Sequence, residues 1–312
     1  MLAALIAHAG HTGGPSLLTS WALDPLQLVP IALVAVLYAR RVRTLRRRGT
    51  PVSRARIWAF GSGLALILVA LVSPIDAFSG EQFLFVHMSQ HLLVGDLAPL
   101  FLVLGLTGPI LRPVLALPLV RHLQVLAHPL VALPLWTLNL FLWHVGLFYE
   151  GALHHDSVHA LQHLLFLGTG CLMWAPVFEV LPAPAWFGTG AKAAYVVVVR
   201  LFGTVLANVF IWAGAAFYPF YEHPSDRWGI SARADQGIGG GIMMLEGSLV
   251  TAGVLVWLFL RMAGESDRRQ SLLEAGLDPR TVGRAVRYGR AESLGASSPL
   301  PAREKPGPGG LE

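Results

Sequence analysis

The chain has 312 residues, of which 54% are hydrophobic and only 13% are charged, and its mean hydropathy is +0.58. A soluble domain of this length carries more charge, so the composition excludes that class and indicates a polytopic membrane protein. The formal net charge is +5, and nucleic acid is not an expected partner. The single cysteine, Cys171, excludes both an intramolecular disulfide and a CxxC metal-transfer motif.

Seven apolar stretches approach the length that a helix needs to cross a bilayer. They cover residues 22–40, 56–73, 82–106, 125–149, 157–178, 191–213 and 237–261. The second stretch is the shortest and the third contains Pro99, so six or eight spans are alternatives. We predict an all-α transmembrane bundle of about seven spans. Its predicted parts are an exposed N-terminal segment (1–21), the membrane domain (22–262) and a cytoplasmic tail (263–312) that forms a short helix followed by disorder.

The positive charges predict the orientation of this bundle. Eight arginines lie between residues 40 and 56, directly after the first span. Because Lys and Arg concentrate in cytoplasmic loops, this connection is expected inside and the N-terminus outside. Seven spans then place 20 of the 23 basic residues on the cytoplasmic side, whereas six or eight would place either this loop or the tail outside. The predicted location is the bacterial plasma membrane.

Two histidine pairs lie inside predicted spans, His87-Met88-Ser89-Gln90-His91 and His159-Ala160-Leu161-Gln162-His163. Residues four apart share one helix face, so each pair directs two imidazoles the same way. Burying imidazoles in hydrocarbon is costly unless they are bonded. Ten of the twelve histidines fall toward the outer side, and His144 reaches the depth of the pairs from the fourth span. We therefore predict a metal site formed by His87, His91, His159 and His163, with His144 as a further candidate.

Other polar residues inside the predicted spans are interpreted as a structural ion pair or as additional candidate ligands and proton carriers. Asp96 and Arg200 fall near mid-depth, and an ion pair between them neutralises two costly charges. Met243, Met244 and Glu246 lie in the last span and are candidate second ligands or proton carriers. Thioethers favour Cu(I), although methionine is also ordinary packing material.

Three segments together resemble the Bacillus-type CtaG family of membrane-integral cytochrome c oxidase assembly factors. They are FLFVHMSQHLLVGDLAPLFLVLGLTGP, FLWHVGLFYEGALHHDSVHALQHLLFLGTGCLMWAPV and DQGIGGGIMM, and the resemblance covers roughly residues 20–262. It implies a multi-pass plasma-membrane protein that is needed to mature a haem-copper oxidase of the caa type at a copper centre. Cytochrome c oxidase subunits are the implied partners.

The residues and the resemblance together predict a copper-binding assembly factor rather than an enzyme. Copper held by the paired histidines is passed by ligand exchange to an oxidase subunit, and no reaction is catalysed. Three alternatives stay open: a haem-binding redox or haem-handling protein, a scaffold whose histidines only join helices, and a membrane enzyme with a di-metal centre. A His-Glu-x-x-His protease motif is excluded because Met88 and Ala160 occupy the Glu position. The sequence leaves the oligomeric state open.

Overall fold

A computed structural model of the protein describes residues 20–21, 24–222 and 229–287. It is 81% helical, and its described residues contain no strand. The described helices are α1 (Pro25–Arg47), α2 (Arg54–Val72), α3 (Pro74–Glu81), α4 (Leu84–Gly105), α5 (Gly108–Leu115), α6 (Pro118–Leu123), α7 (Pro129–Trp143), α8 (Gly146–His154), α9 (Asp156–Trp174), α10 (Thr189–Trp212), α11 (Ala232–Glu274) and α12 (Pro279–Arg287). Short 3₁₀ turns cover Gln124–Ala127 and Pro219–Tyr221. The all-α prediction is confirmed.

Five described helices, α1, α2, α4, α10 and α11, are long and apolar enough to cross a membrane. Two bent pairs raise the number to seven if each pair is counted as one span. One pair is α7 with α8, bent by 71°, and the other is α5 with the segment Pro118–Ala127, bent by 119°. The range of five to seven spans includes the predicted seven.

The seven spans counted in this way differ from the predicted seven at three places. The predicted fourth span, 125–149, is interrupted, because α7 ends at Trp143 and extended backbone at Val145 starts the separate helix α8. The predicted fifth span corresponds to α9. This helix is 19 residues long, as α2 is, but it is not among the five long apolar helices. The bent pair at residues 108–127 lies where the sequence predicted a connection.

The helix α4 continues through Pro99 by widening into one π-helical turn, Leu93–Leu97. Proline has no N–H and its ring clashes with the carbonyl four residues earlier, here that of Gly95. In the wider turn the N–H of Ala98 bonds to the carbonyl of Leu93, five residues back. Pro99 therefore alters the helix without ending it.

Contacts divide the chain into two compact units. The larger comprises residues 1–184 and 195–251, and the smaller comprises residues 185–194 and 252–312. A buried core of the larger unit is formed by residues of α4, α8, α10 and α11 with the turn Pro219–Tyr221: Leu84, Met88, Tyr149, Leu206, Ala207, Phe210, Tyr218, Tyr221 and Met243. All the sequence-predicted ligands belong to the larger unit.

Within the smaller unit, side chains near the end of α11 make local contacts. Glu265 accepts hydrogen bonds from Thr189 Oγ1 and from Arg261 Nε, both at 2.8 Å. Leu272 packs against Val282 of α12. The boundary predicted at residue 262 falls inside the unbroken helix α11, which ends at Glu274, and the tail beyond residue 287 lies outside the described residues.

Candidate metal centre

The N-terminal half of α4 carries the first histidine pair. His87 is fully buried and His91 is 6% exposed. The first turn of α4 has no cap of its own, so Asp235 of α11 supplies one. Its two carboxylate oxygens accept from the backbone N–H groups of Leu84 and Phe85, both at 2.8 Å. This remote cap fixes the start of the helix one turn before His87.

The second pair lies on α9, which crosses α4 at closely approaching glycines. A Cβ on Gly170 would collide with the carbonyl oxygen of Gly95 and would lie 2.7 Å from Cγ of Pro99. Only glycine permits this separation between the two helices. The crossing lies immediately after His91 on α4 and seven residues after His163 on α9, so it brings the two pairs side by side.

The rings of the two pairs form one cluster. The ring centres of His87 and His91 are 4.2 Å apart, and those of His159 and His163 are 4.3 Å apart. Between the helices, His87 lies 5.2 Å from His159 and His91 lies 5.5 Å from His163. One nitrogen from each of His87, His91 and His159 lies within 4.8 Å of the other two. This is the distance range of a set of ligands around one ion.

His144 joins the cluster from the point where α7 ends. Its Nδ1 donates to the carbonyl of Leu140 at 2.7 Å, which satisfies one of the terminal carbonyls of α7. Its ring centre is 6.4 Å from that of His91. With Nδ1 bonded to a backbone carbonyl, Nε2 is the nitrogen that keeps a lone pair. This is the arrangement that metal-ligating histidines adopt.

Four imidazole nitrogens in this cluster are buried and have no hydrogen-bond partner in the described part of the chain. They are His91 Nδ1, His144 Nε2, His159 Nε2 and His163 Nε2. Buried polar atoms in folded proteins are nearly always paired, since an unpaired one costs about 1–3 kcal/mol. Unpaired nitrogens at one location fit a metal ion as their missing partner.

Hydrogen-bond donors and acceptors around His87 assign its tautomer. Its Nδ1 lies 2.9 Å from the hydroxyl oxygen of Tyr221, and that hydroxyl donates its hydrogen to the carbonyl of Ser79 at 3.0 Å. With its hydrogen on that carbonyl, the hydroxyl oxygen accepts from His87, so we assign the proton to Nδ1. The other nitrogen, Nε2, lies 2.8 Å from Nε2 of His91 and carries the lone pair.

Comparison with known proteins connects this cluster to a family. The sequence profile described as cytochrome c oxidase caa3 assembly factor, Caa3_CtaG, matches residues 36–265, a range that includes all five clustered histidines. The chain belongs to the CtaG family. The resemblance seen in the sequence is confirmed.

Curated relatives of this CtaG-family chain come from mycobacteria. Uncharacterized proteins of Mycobacterium bovis and Mycobacterium tuberculosis are each 27% identical to it over 274 residues, covering 81% of this chain and 40% of theirs. An uncharacterized protein of Mycobacterium leprae is 23% identical over 272 residues, covering 80% and 40%. The chain therefore spans about two fifths of the length of these relatives. No solved structure matches it.

The accessory candidates of the last span have partners other than the clustered histidines. Met243 is buried in the core of the larger unit, and the Met244 sulfur accepts from Arg200 Nη2 at 2.9 Å. Glu246 lies close to the carboxyl of Asp96, and its Oε1 is buried without a hydrogen-bond partner among the described residues. The only group of three or more candidate metal ligands found among the described His, Cys, Asp and Glu side chains is the His87, His91 and His159 set.

Asp96 and Arg200 form hydrogen bonds with groups other than each other. Asp96 accepts from the indole N–H of Trp174 at 2.8 Å, while Arg200 Nη2 donates to the carbonyl of Met244 at 2.7 Å and to Ser248 Oγ at 2.8 Å. Their charges attract each other, and Arg200 is attracted by Glu246 as well. A direct ion pair between Asp96 and Arg200 is not among the salt bridges of the described residues, so the predicted pair stays a prediction.

Several residues that support the cluster were not predicted from the sequence. Gln90 is fully buried and donates to the carbonyl of Ala70 and to Asp76 Oδ1, at 3.0 and 2.7 Å. Ser79 Oγ in turn donates to Gln90 Oε1 at 2.9 Å. Burial raises the pKa of the Asp76 carboxyl, which the bond from Gln90 partly offsets. The glutamine preceding the second histidine was a visible signal, but its partners lie 11 to 20 residues away.

Other histidines of the chain do not belong to the cluster. His154 and His155 are exposed in and after the last turn of α8. His122 Nδ1 bonds to the carbonyl of Pro118. His8, His11 and His223, which the sequence assigned to the outer side, lie outside the described residues.

Proposed function

We propose that this CtaG-family protein binds copper at the cluster of His87, His91, His144, His159 and His163 and passes it to a cytochrome c oxidase subunit. The observation that carries the proposal is the set of four buried imidazole nitrogens without partners. Imidazole is a good ligand for copper. In a scaffold whose histidines only joined helices, those nitrogens would be hydrogen-bonded instead.

The close spacing of the rings favours an ion over a haem. A bis-histidine haem places the porphyrin plane between two imidazoles, one from each of two facing helices, and here the ring centres of His87 and His159 are only 5.2 Å apart. A single ion fits among nitrogens at the spacing of the His87, His91 and His159 set.

The hydrogen bond between His87 and His91 supports a role in transfer. With the proton of His87 on Nδ1, its Nε2 accepts from Nε2–H of His91. Copper must displace this hydrogen bond to reach the His87 lone pair, and the bond re-forms when copper leaves. The protein therefore offsets part of the free-energy cost of release, which a carrier needs and a permanent copper site does not.

Transfer to an oxidase subunit also requires the cluster to lie toward the outer face of the plasma membrane. We propose the orientation that the arginine-rich connection between α1 and α2 favours, with the N-terminus outside and the tail in the cytoplasm. In this orientation Asp76, Tyr221 and the start of α9 lie on the outer side, directly above the cluster.

The test is the amount of copper retained per protein after loading with Cu(I) and desalting, measured by elemental mass spectrometry. We expect wild type to retain copper and the fourfold His87→Ala, His91→Ala, His159→Ala, His163→Ala variant to lose it. The matched control replaces the exposed His122, His154 and His155 by alanine and should retain copper as wild type does. Circular dichroism and thermal unfolding confirm that each variant is folded.

Equal copper in wild type and in a folded fourfold variant would overturn the proposal. A Soret band in the purified protein that is lost in the fourfold variant would show that the cluster binds haem instead of copper.

A further inference from the structure

Tyr221 joins the outer connection between α10 and α11 to the histidine cluster. It ends the 3₁₀ turn Pro219–Tyr221, and its side chain is 1% exposed. Its hydroxyl lies between two groups, accepting from His87 Nδ1 at 2.9 Å and donating to the carbonyl of Ser79 at 3.0 Å. The hydroxyl of Tyr149 approaches it at 3.4 Å.

The carbonyl of Ser79 decides how this hydroxyl acts. A carbonyl can only accept, so it takes the phenolic hydrogen and leaves an oxygen lone pair for His87. Without that carbonyl, Tyr221 could donate to Nδ1 and hold the opposite tautomer, in which Nε2 carries the proton and cannot bind a metal.

Ser79 is itself held in place by the network around Gln90. Its Oγ bonds to Gln90 Oε1 and to the carbonyl of Asp76, and Gln90 connects this segment to α2 through Ala70. Ser79 and Gln90 are both fully buried. The Ser79 carbonyl therefore has a fixed position relative to α4, the helix that carries His87.

We propose that Tyr221 is a positioning residue for the metal site, which keeps the His87 proton on Nδ1 and thereby directs the Nε2 lone pair into the cluster. The inference rests on the proposed function for its effect on copper, but the tautomer that it assigns exists in the metal-free protein as well. The hydrogen bond that a metal-ligating histidine makes through its second nitrogen typically changes metal affinity 10- to 100-fold.

The first measurement is the tautomer of His87 in the metal-free protein, from ¹⁵N chemical shifts of labelled histidine assigned with a His87→Gln variant. We expect Nδ1 to be protonated in wild type. In Tyr221→Phe, which keeps the ring and removes the hydroxyl, we expect a mixture of both tautomers. Protonation of His87 at Nε2 in wild type would overturn the inference, whatever the protein does with copper.

The second measurement is the Cu(I) dissociation constant, from competition with a chromogenic chelator. We expect Tyr221→Phe to raise it about 10- to 100-fold. The matched control is Tyr149→Phe, which removes a neighbouring buried hydroxyl that bonds to Tyr221 but to none of the described imidazoles; its constant should stay within about threefold of wild type.

The two possible failures are distinguishable. Absence of copper binding by wild type contradicts the proposed function and leaves the tautomer measurement to decide the role of Tyr221. Copper binding by wild type with equal affinity in Tyr221→Phe contradicts the positioning role alone. Equal loss in Tyr221→Phe and Tyr149→Phe would show a general packing effect and would also overturn it.

Discussion

His144 is the residue whose role changes most between sequence and structure. In the sequence it is one aromatic-flanked imidazole near the end of a span. In the structure it ends α7, bonds to the Leu140 carbonyl through Nδ1 and leaves Nε2 buried without a partner among the described residues. The same bond therefore satisfies a terminal carbonyl of α7 and leaves Nε2 as a candidate ligand.

We predict that His144→Ala weakens Cu(I) binding by about tenfold, equivalent to ~1.4 kcal/mol, without abolishing it. Four other imidazoles remain in the cluster, whereas the lost ring removes one of the unpaired nitrogens. The measurement is chelator competition, with the exposed His154→Ala as the matched control. An unchanged dissociation constant in His144→Ala would show that this imidazole only caps α7.

At the scale of single residues, the sequence predicts the histidines but not what orients them. Spacing by four residues and burial in an apolar span were sufficient to select His87, His91, His159 and His163. Tyr221 lies 134 residues from His87 along the chain, and no local pattern relates the two. Contacts at such separation depend on how the helices assemble, which a single sequence does not show.

The crossing of α4 and α9 sets the spacing of the two histidine pairs. Gly170 faces the Gly95 carbonyl, whose usual hydrogen-bond donor four residues later is replaced by Pro99. The π-helical turn, the proline and the glycine thus occupy one location, immediately below the cluster. Helix existence and approximate bounds were predictable from apolar length, but the π turn and the break at Val145 were not, because they depend on backbone geometry at single residues.

We predict that Gly170→Ala separates α4 from α9, lowers the free energy of unfolding by about 1–3 kcal/mol and weakens Cu(I) binding. The added methyl has no room between the Gly95 carbonyl and the Pro99 ring. The matched control is Gly168→Ala in the same helix, where an added Cβ has no neighbour within 4 Å in the described part of the chain. Thermal unfolding and chelator competition report the two effects, and equal behaviour of both variants would contradict the close approach.

The remote cap of α4 gives a second prediction for this helix. Asp235→Ala removes both acceptors for the N–H groups of Leu84 and Phe85, and we expect a loss of about 2 kcal/mol of stability. Asp235→Asn keeps one acceptor oxygen and should lose about half as much. The midpoint of thermal unfolding in detergent measures both, and an Asp235→Ala variant as stable as wild type would show that the cap is dispensable.

At the scale of the whole molecule, the membership of the CtaG family and the helical fold were predictable, and the exact set of spans was not. The sequence treated residues 108–127 as a connection and 125–149 as one span, whereas the structure contains bent helix pairs at both places. Hydropathy records how apolar a segment is but not whether it is straight.

The orientation of the chain leads to a prediction for intact cells. In a Cys171→Ser background, a cysteine at Thr50 should be protected from a membrane-impermeant maleimide, because the proposed orientation places the connection between α1 and α2 in the cytoplasm. A cysteine at His155 should be labelled, because that position is exposed and the proposed orientation places it on the outer side. Labelling of both after permeabilisation is the control, and the reverse pattern in intact cells would invert the proposed topology and place the cluster toward the cytoplasm.

The cap supplied by Asp235 has a consequence for biosynthesis. Membrane helices are inserted in the order in which the ribosome makes them, and α4 is complete about 130 residues before Asp235 is synthesised. Until α11 arrives, the first turn of α4 lacks its two acceptors and His87 lacks a fixed helix start. Tyr221 is also translated late. A nascent or truncated chain therefore carries all five histidines without the finished cluster, so under the proposed function we expect competence to hold metal only when the last span is in place.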